Sequence, residues 1–188
     1  MTGRIDLQGD IGEILLTEEQ ISAKVAELGA RIGADYGDRR LTLVSVLKGS
    51  LPFMADLMRA IPSPVRIDLM EVSSYGGTST ESSGLVRILK DLSATIAGED
   101  VLIVEDIIDT GLTLNYLLRY LRGKNPASLR ICTLLDKPAR RLVDIPVDYI
   151  GFTIPDQFVV GYGLDYAEYY RNLRFVGVLK PEVYTSAE

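Results

Sequence analysis

The sequence has no histidine, a single cysteine and no tryptophan among its 188 residues. The lack of histidine excludes catalysis by Ser-His-Asp or Cys-His groups and zinc sites of the HExxH type. A lone cysteine, Cys132, excludes an internal disulfide and argues against a structural zinc site. Any catalysis must therefore use carboxylates, lysine, arginine, hydroxyl groups, backbone amides or a hard metal ion.

Long hydrophobic runs and an excess of basic charge are also missing. No apolar run approaches the roughly 20 residues of a membrane helix, and the N-terminus does not read as a signal peptide. The net charge is −6, whereas a domain that mainly holds nucleic acid is more often basic. We therefore expect a cytoplasmic protein without a membrane or nucleic-acid partner. Its 188 residues, 47% of them hydrophobic, suit a single domain spanning residues 1–188.

Strand-like and helix-like segments alternate along the chain. Residues 17–36 are predicted to form a helix, capped by Thr17 with Gln20 as its capping-box partner. The second helix, residues 51–61, is predicted to be capped by Ser50. The remaining elements are a helix over 113–122 and strands over 41–47, 65–72, 86–89, 101–104, 129–135, 147–152 and 174–179. This alternation predicts an α/β fold with a mostly parallel central sheet.

Residues 73–84 read SSYGGTSTESSG, which is almost entirely serine, threonine and glycine. The segment is long for a loop within a compact domain, and such loops are usually functional lids or disordered. It separates two predicted strands, so the whole can be a long hairpin with a mobile tip. Both readings, a lid and a passive linker, stay open.

The segment VLIVEDIIDTGLTL, residues 101–114, carries the chemistry. A buried strand is predicted to end at Glu105 and Asp106, followed by a turn over 105–111 and a helix. Ligands bind at the carboxyl ends of strands in open α/β sheets, and helix N-termini hold anions. Gly111 allows close backbone approach to a phosphate, so the loop suits a sugar phosphate whose ribose hydroxyls meet the carboxylates. The segment is neither a Walker loop nor a dinucleotide fingerprint, and the triplet at residues 161–163, Gly-Tyr-Gly, is too short to be one.

This pattern of four apolar, two acidic and two apolar residues, then Asp-Thr-Gly and a threonine, resembles the phosphoribosyl-pyrophosphate motif of type I phosphoribosyltransferases. Residues 47–49, 134–138 (LLDKP) and 154–171 (IPDQFVVGYGLDYAEYYR) narrow the resemblance to hypoxanthine-guanine phosphoribosyltransferases. The similarity spans about residues 10–180. It implies a mostly parallel sheet flanked by helices, a small hood from the N-terminal and C-terminal segments, a Mg²⁺ cofactor and a homodimer or homotetramer.

The resemblance also implies a role for each matching residue. Asp109 would be the catalytic carboxylate beside the purine imidazole ring. The residues that would bind phosphoribosyl pyrophosphate are Lys48, Gly49, Ser74, Tyr75, Glu105, Asp106, Asp109, Thr110, Gly111, Leu112, Thr113 and Arg171. Those that would bind the purine are Lys137, Phe158, Val159 and Asp165, and those near Mg²⁺ would be Glu105, Asp106 and Asp165.

Within this set the implied roles differ. Residues 109–113 would hold the 5-phosphate, and Lys48 with Gly49 would form a pyrophosphate loop that can contain a non-proline cis peptide. Arg171 would contact pyrophosphate, and Ser74 with Tyr75 would belong to the lid over 73–84. Glu105 and Asp106 would bind the ribose hydroxyls, directly or through magnesium.

Lys137 has a physical rationale of its own. A 6-oxopurine presents a carbonyl acceptor where adenine presents an amino donor, so an ammonium favours hypoxanthine and guanine. The implied reaction displaces pyrophosphate from the anomeric carbon by a purine nitrogen and gives IMP or GMP, as in purine salvage.

Several alternatives stay open. Read alone, Lys137 could be a surface lysine, Phe158 a core residue, and Asp165 with Arg171 a surface ion pair. An enzyme preferring xanthine would use the same pocket logic. A regulator that binds RNA or DNA on the same fold is disfavoured by the negative charge and by the presence of Asp109 and Lys137. A nucleotide hydrolase is disfavoured because a Walker lysine is missing.

Overall fold

A computed structural model describes residues 6–74 and 86–185 of the chain. Its strands are β1 (Ile11–Leu16), β2 (Leu41–Leu47), β3 (Val65–Ser74), β4 (Val86–Lys90), β5 (Asp100–Ile108), β6 (Ser128–Asp136), β7 (Tyr149–Thr153), β8 (Val159–Val160) and β9 (Val176–Leu179). Its helices are α1 (Glu18–Tyr36), α2 (Leu51–Ala60), α3 (Leu112–Arg122) and α4 (Pro181–Thr185), with a short 3-10 helix at Pro138–Arg140.

The central sheet has six strands in the order β4-β3-β2-β5-β6-β7. All neighbouring pairs are parallel except β3 and β4, which form an antiparallel hairpin at one edge. The α/β fold with a mostly parallel sheet is therefore confirmed. Because parallel strands end at the same edge, the loops after β2, β5 and β6 meet there.

The central strand β5 is buried on both faces, as its continuous apolar run predicts. Leu102 and Val104 join the core beneath α1 and α2, whereas Val101 and Ile103 join the core beneath α3. This division follows from the two-residue period of a strand, which sends neighbouring side chains to opposite faces.

A second sheet has three antiparallel strands in the order β1-β9-β8. It joins the N-terminal strand to two C-terminal strands, which are the segments from which a hood is expected. The sequence analysis predicted β9, with a start two residues too early, and missed β1 and β8. The assignment of residues 1–188 to one domain with a hood stays a prediction.

The helix starts give one confirmation and one correction. Thr17 and Gln20 form the predicted capping box, with N···O distances of 2.8 and 3.3 Å. Ser50 precedes α2 but does not cap it with its side chain. Its hydroxyl instead donates to the carbonyl of Val46, at the end of the preceding strand.

The predicted turn over 105–111 is also corrected. Strand β5 continues to Ile108, and its ladder with β6 extends to the pair Ile108 and Asp136. Glu105 and Asp106 therefore lie within the strand, because the parallel hydrogen bonding with β6 persists past the apolar run. Residues 75–85, which include Tyr75 and most of the predicted lid, lie outside the described residues. Within the described part of the chain, no helix has the length and apolar character needed to cross a membrane.

Candidate active site

The loop between β5 and α3 builds one wall of the site. Asp109, Thr110, Gly111 and Thr113 line a cavity of about 180 Å³ together with Glu105. Leu112 is the first residue of α3, and its backbone N–H lies 3.4 Å from the Thr110 hydroxyl oxygen. The first N–H groups of a helix have no partner within the helix, so this cavity has the donors that an anion needs.

Gly111 gives this loop its shape. Its φ of +81° is left-handed, a conformation that glycine adopts without the steric cost of a side chain. A Cβ atom there would lie 2.9 Å from Ile145 Cδ1 and 3.1 Å from both Arg141 Cδ and Val143 Cγ2. The left-handed backbone therefore favours glycine, and a Cβ atom would in addition make neighbouring side chains shift.

Glu105 and Asp106 are neighbours in β5 but lie in different surroundings. Glu105 lines the cavity formed by the loop between β5 and α3, whereas the Asp106 carboxylate lies against Gly49, where a Cβ atom would overlap it. Both side chains keep some exposure, yet burial of the carboxyl groups raises their pKa. The pKa of Glu105 is well above its ordinary value, further raised by Asp106, and that of Asp106 is about 6. The site thus holds two carboxylates that a nearby cation would stabilise.

The loop after β2 approaches the segment around Arg171. The peptide bond between Leu47 and Lys48 is cis. Lys48 Nζ forms an ion pair with Glu168 at 2.8 Å, and Arg171 contacts Asp165 at 2.8 Å. Asp165 and Arg171 both act electrostatically on Asp106, with opposite signs. The structure therefore brings Lys48, Gly49, Asp106, Asp165 and Arg171 into one group.

Lys137 directly follows β6 and lies beside the loop between β5 and α3. Its backbone N–H donates to Ile108 O at 3.0 Å, and its Nζ donates to Gln157 O at 2.5 Å. The residue is only 5% exposed, so it is not a surface lysine. Burial lowers the pKa of Lys137, while the negative charge of Asp109 opposes that shift.

Phe158 and Val159 lie next to Gln157. Phe158 is 39% exposed, and its ring stacks on Tyr184 of α4 at 5.0 Å between centroids. Val159 is buried in β8 and pairs with Val178. Phe158 thus presents an aromatic surface near Lys137 and is not a core residue. Asp165, predicted in the same group, instead makes its contacts with Arg171 and with the backbone N–H of Glu168.

Two arginines that sequence reasoning missed contact Asp109. Arg140 Nε lies 3.1 Å from Asp109 Oδ1, and Arg141 Nε donates to the Asp109 carbonyl at 3.3 Å. Arg141 also pairs with the Asp136 carboxylate. Asp109 Oδ1 is shielded from solvent and makes no hydrogen bond of good geometry within the described chain. The only sequence signal was a pair of arginines soon after LLDKP.

The remaining residues of the predicted site are those expected in the lid and those expected near Mg²⁺. Ser74 ends β3 opposite Val86, and Tyr75 falls in the segment that is not described. Among the described residues, no group of three or more acidic, histidine or cysteine side chains forms a closed metal site. Glu105, Asp106 and Asp165 therefore do not form such a group by themselves.

Comparison with known proteins identifies the chain in agreement with this geometry. The model of the family described as phosphoribosyl transferase domain matches residues 12–167. The chain is 54% identical to the hypoxanthine-guanine phosphoribosyltransferase of Bacillus subtilis, over 96% of this chain and 99% of that protein. It is 56% identical to the enzyme of the same name from Mycobacterium avium, over 94% of this chain and 89% of the relative.

A solved structure agrees as well. The hypoxanthine phosphoribosyltransferase of Staphylococcus aureus superposes with a TM-score of 0.92 at 51% identity, covering 98% of this chain and 99% of that one. The chain therefore belongs to the phosphoribosyl transferase domain family and, within it, to the hypoxanthine-guanine phosphoribosyltransferases.

Proposed function

We propose that the chain is a purine-salvage enzyme that transfers the phosphoribosyl group of 5-phosphoribosyl pyrophosphate to hypoxanthine or guanine, giving IMP or GMP and pyrophosphate. The observation that carries this proposal is the position of Lys137 beside the phosphate loop. Its backbone is hydrogen-bonded to Ile108, the residue before Asp109. A phosphate site, a carboxylate and a buried ammonium therefore share one edge of the sheet.

The purine would lie between Lys137 and Phe158. The ammonium would donate to the 6-oxo group, and the exposed face of the Phe158 ring would stack on the base, as offset aromatic pairs do. The backbone of Val159 would contact the purine edge. Adenine would place an amino donor against the ammonium, which leaves both donors without an acceptor.

Asp109 would accept the proton that the purine loses. As a purine nitrogen attacks the anomeric carbon, the C–N bond forms, the bond from that carbon to pyrophosphate breaks, and the ring proton moves toward the Asp109 carboxylate. Its Oδ1 atom is shielded from solvent and lies 3.1 Å from Arg140 Nε in an ion pair, without a hydrogen bond of good geometry.

The 5-phosphate would sit on the amides and hydroxyls of residues 109–113, and the ribose hydroxyls would meet Glu105 and Asp106. The pyrophosphate would lie near Lys48, Gly49 and Arg171. Ser74 and Tyr75 would belong to a lid over 73–84 that excludes water, the competing nucleophile.

The carboxylates fit a magnesium ion. Burial raises the pKa of both Glu105 and Asp106; the charge of Asp106 raises that of Glu105 further, and the charge of Asp165 raises that of Asp106. Both carboxylates would therefore gain from a divalent cation. Mg²⁺ is commonly held by one or two carboxylates together with substrate phosphates, which agrees with an incomplete protein cage here. When bound, it would neutralise charge on the leaving pyrophosphate. Asp106, Glu105 and Asp165 are the residues that would hold it, directly or through water.

The proposal also includes the cellular compartment and the oligomeric state. We expect a cytoplasmic homodimer or homotetramer that acts on small molecules and has no nucleic-acid partner. The negative net charge of −6 argues against a nucleic-acid partner.

A spectrophotometric assay tests the function. Purified protein, Mg²⁺ and phosphoribosyl pyrophosphate are mixed with hypoxanthine, guanine, xanthine or adenine, and the absorbance change of each base is followed. We expect turnover of hypoxanthine and guanine and little of adenine. Fastest turnover of xanthine would favour the alternative substrate preference. Binding of phosphoribosyl pyrophosphate without turnover of any purine would contradict the proposal and favour a regulator.

A further inference from the structure

The Gly-Tyr-Gly triplet, residues 161–163, forms a tight turn next to Gly49 and Arg171. Gly161, Tyr162 and Gly163 all have left-handed φ values, +97°, +46° and +100°. The turn closes through two hydrogen bonds between Gly161 and Leu164, of 3.0 and 3.1 Å. A tyrosine rarely adopts such a φ, so other contacts must hold it there.

Tyr162 is anchored to helix α2. Its side chain is 9% exposed, and its hydroxyl donates to Asp56 Oδ2 at 2.6 Å. Arg59, one helical turn further on, pairs with the other oxygen of Asp56. Burial raises the pKa of Tyr162, and the hydrogen bond to Asp56 raises it further, so the phenol stays a protonated donor near neutral pH. Helix α2 begins at Leu51, immediately after the loop that carries Lys48 and Gly49.

Gly163 connects the anchored turn to the Lys48-Gly49 loop and to Arg171. A Cβ atom on Gly163 would overlap the Gly49 carbonyl oxygen, so the two backbones are in direct contact. Gly163 N donates to Arg171 O at 3.0 Å, and Arg171 Nη1 donates back to Gly163 O at 2.8 Å. Gly49 in turn lies against Asp106. Displacing the turn would therefore displace Arg171 and Gly49 together.

Packing and the hydrogen bond both hold the turn against α2. The Tyr162 ring belongs to the same hydrophobic core as Phe53 and Leu57 of α2. An open space of about 740 Å³ borders the other side, and its walls include Pro52, Asp56, Tyr162 and Arg171. The ring contacts place the tyrosine, and the directional hydrogen bond to Asp56 fixes its orientation.

We propose that Tyr162 and Asp56 are positioning residues, whose hydrogen bond keeps Gly163 and Arg171 in register with the Lys48-Gly49 loop for binding a pyrophosphate group. The inference rests on the proposed function, because it assigns this group of residues to the pyrophosphate of the substrate. The hydrogen bond is expected to affect the binding of phosphoribosyl pyrophosphate and of free pyrophosphate. Binding of the purine by Lys137 and Phe158 is expected to stay the same.

Tyr162→Phe removes only the hydroxyl and keeps the ring. We expect the KM for phosphoribosyl pyrophosphate and the inhibition constant for pyrophosphate to rise at least about fivefold, since a hydrogen bond to a charged group is lost. The KM for hypoxanthine should change less than about twofold on the same grounds. Asp56→Ala should behave like Tyr162→Phe, whereas Asp56→Asn, which keeps an acceptor oxygen, should restore both constants.

Tyr149→Phe is the matched control. Tyr149 is 1% exposed, and its hydroxyl donates to Asp35 Oδ2 at 2.7 Å, but it begins β7 at the opposite end of the sheet. This variant should lose stability in urea unfolding without any change in the two constants. Wild-type constants in Tyr162→Phe, or an equal rise for hypoxanthine, would overturn the inference, as would the same rise in Tyr149→Phe.

Calorimetric binding of pyrophosphate with Mg²⁺ separates this inference from the proposed function. If the wild-type protein shows no transfer, the proposed function is wrong. The Kd for pyrophosphate still tests the positioning role in that case. A Kd at least about fivefold weaker in Tyr162→Phe, and unchanged in Tyr149→Phe, supports it. Equal Kd values in the wild type and Tyr162→Phe, or no binding of pyrophosphate to the wild type, contradict it.

Discussion

Asp109 lies between two positively charged side chains. Arg140 Nε is 3.1 Å from its carboxylate, and the charge of Asp109 acts on the ammonium of Lys137. The ion pair with Arg140 places the carboxylate at the position from which a purine proton would be accepted.

Asp109→Asn keeps the size of this side chain and removes its basicity. We expect kcat to fall by roughly a hundredfold, in the range of general-base effects, with little change in binding of phosphoribosyl pyrophosphate. Steady-state kinetics and calorimetry measure the two quantities. Asp156→Asn is the control, because Asp156 also pairs with Arg140, at 3.7 Å, but has no proposed proton-transfer role. A kcat within about threefold of the wild type in Asp109→Asn would rule out general-base catalysis by this residue.

Lys137 is expected to set the choice of base. Lys137→Gln replaces an obligatory donor by a group that both donates and accepts, so adenine would no longer face only donors. The ratio of kcat/KM for hypoxanthine to that for adenine should fall at least about tenfold. Lys90→Gln, at a lysine near the end of β4, should leave the ratio unchanged. An unchanged ratio in Lys137→Gln would mean that selectivity comes from elsewhere.

At the scale of elements, the β5–α3 loop depends on one glycine conformation. Gly98 offers a matched comparison, because it also has a positive φ, +74°, but its Cβ position is open. Alanine at either glycine should cost about 1–2 kcal/mol of unfolding free energy for the left-handed backbone. Only Gly111→Ala should lose more unfolding free energy than this. Only this variant should also show a higher KM for phosphoribosyl pyrophosphate. Equal stability losses and equal KM values for the two variants would contradict the crowding argument.

A polar cluster joins the end of β4 to α3. Burial alone would raise the pKa of Asp91, but hydrogen bonds from Lys124, Tyr120 and the Leu92 amide lower it below its ordinary value. A depressed carboxylate pKa contributes stability above the unfolded-state pKa, and this contribution is lost as the pH falls through the folded-state value.

Asp91→Asn should therefore be less stable than the wild type from pH 8 to pH 5, by at most about 1 kcal/mol because the side chain is partly exposed. The difference should shrink below about pH 4, where the unfolded carboxyl is protonated. Urea unfolding at pH 7.5, 5.5 and 3.5 measures it. A difference that is the same at pH 3.5 as at pH 7.5 would contradict the role of the charge.

Prediction of elements from the sequence succeeded where the signal was local. Helix α1 followed from a capping box and an apolar stripe, and the core of β5 from four consecutive apolar residues. Strand β1 was missed because it pairs with β9, about 160 residues away, and half of its residues are exposed. The two-residue strand β8 leaves too short a pattern to detect.

The candidate site was predictable from the sequence only in part. The motif residues 105–113 and Lys137 follow strands that the apolar runs locate, and their meeting follows from parallel pairing. The contacts of Arg140 with Asp109 and of Tyr162 with Asp56 depend on loop conformations and on side chains separated by 31 and 106 residues. No periodicity in the sequence encodes such pairs.

At the scale of the whole molecule, basic and acidic side chains are brought together where the substrate would bind. Near the loops after β2, β5 and β6, Lys48 pairs with Glu168, Arg140 with Asp109, Arg141 with Asp136 and Arg171 with Asp165. The basic members of these pairs are the donors that a substrate with three phosphate groups would need. The fold provides them by bringing the ends of parallel strands to one edge.

The most direct test of the central claim is the stoichiometry of products. Phosphoribosyl pyrophosphate, Mg²⁺ and hypoxanthine are incubated with the protein, and IMP and pyrophosphate are quantified by chromatography with mass detection. Phosphoribosyl transfer predicts one IMP for each pyrophosphate released, and no release without the base. Pyrophosphate without IMP would show hydrolysis, and the absence of both products would show that the chain is not this transferase.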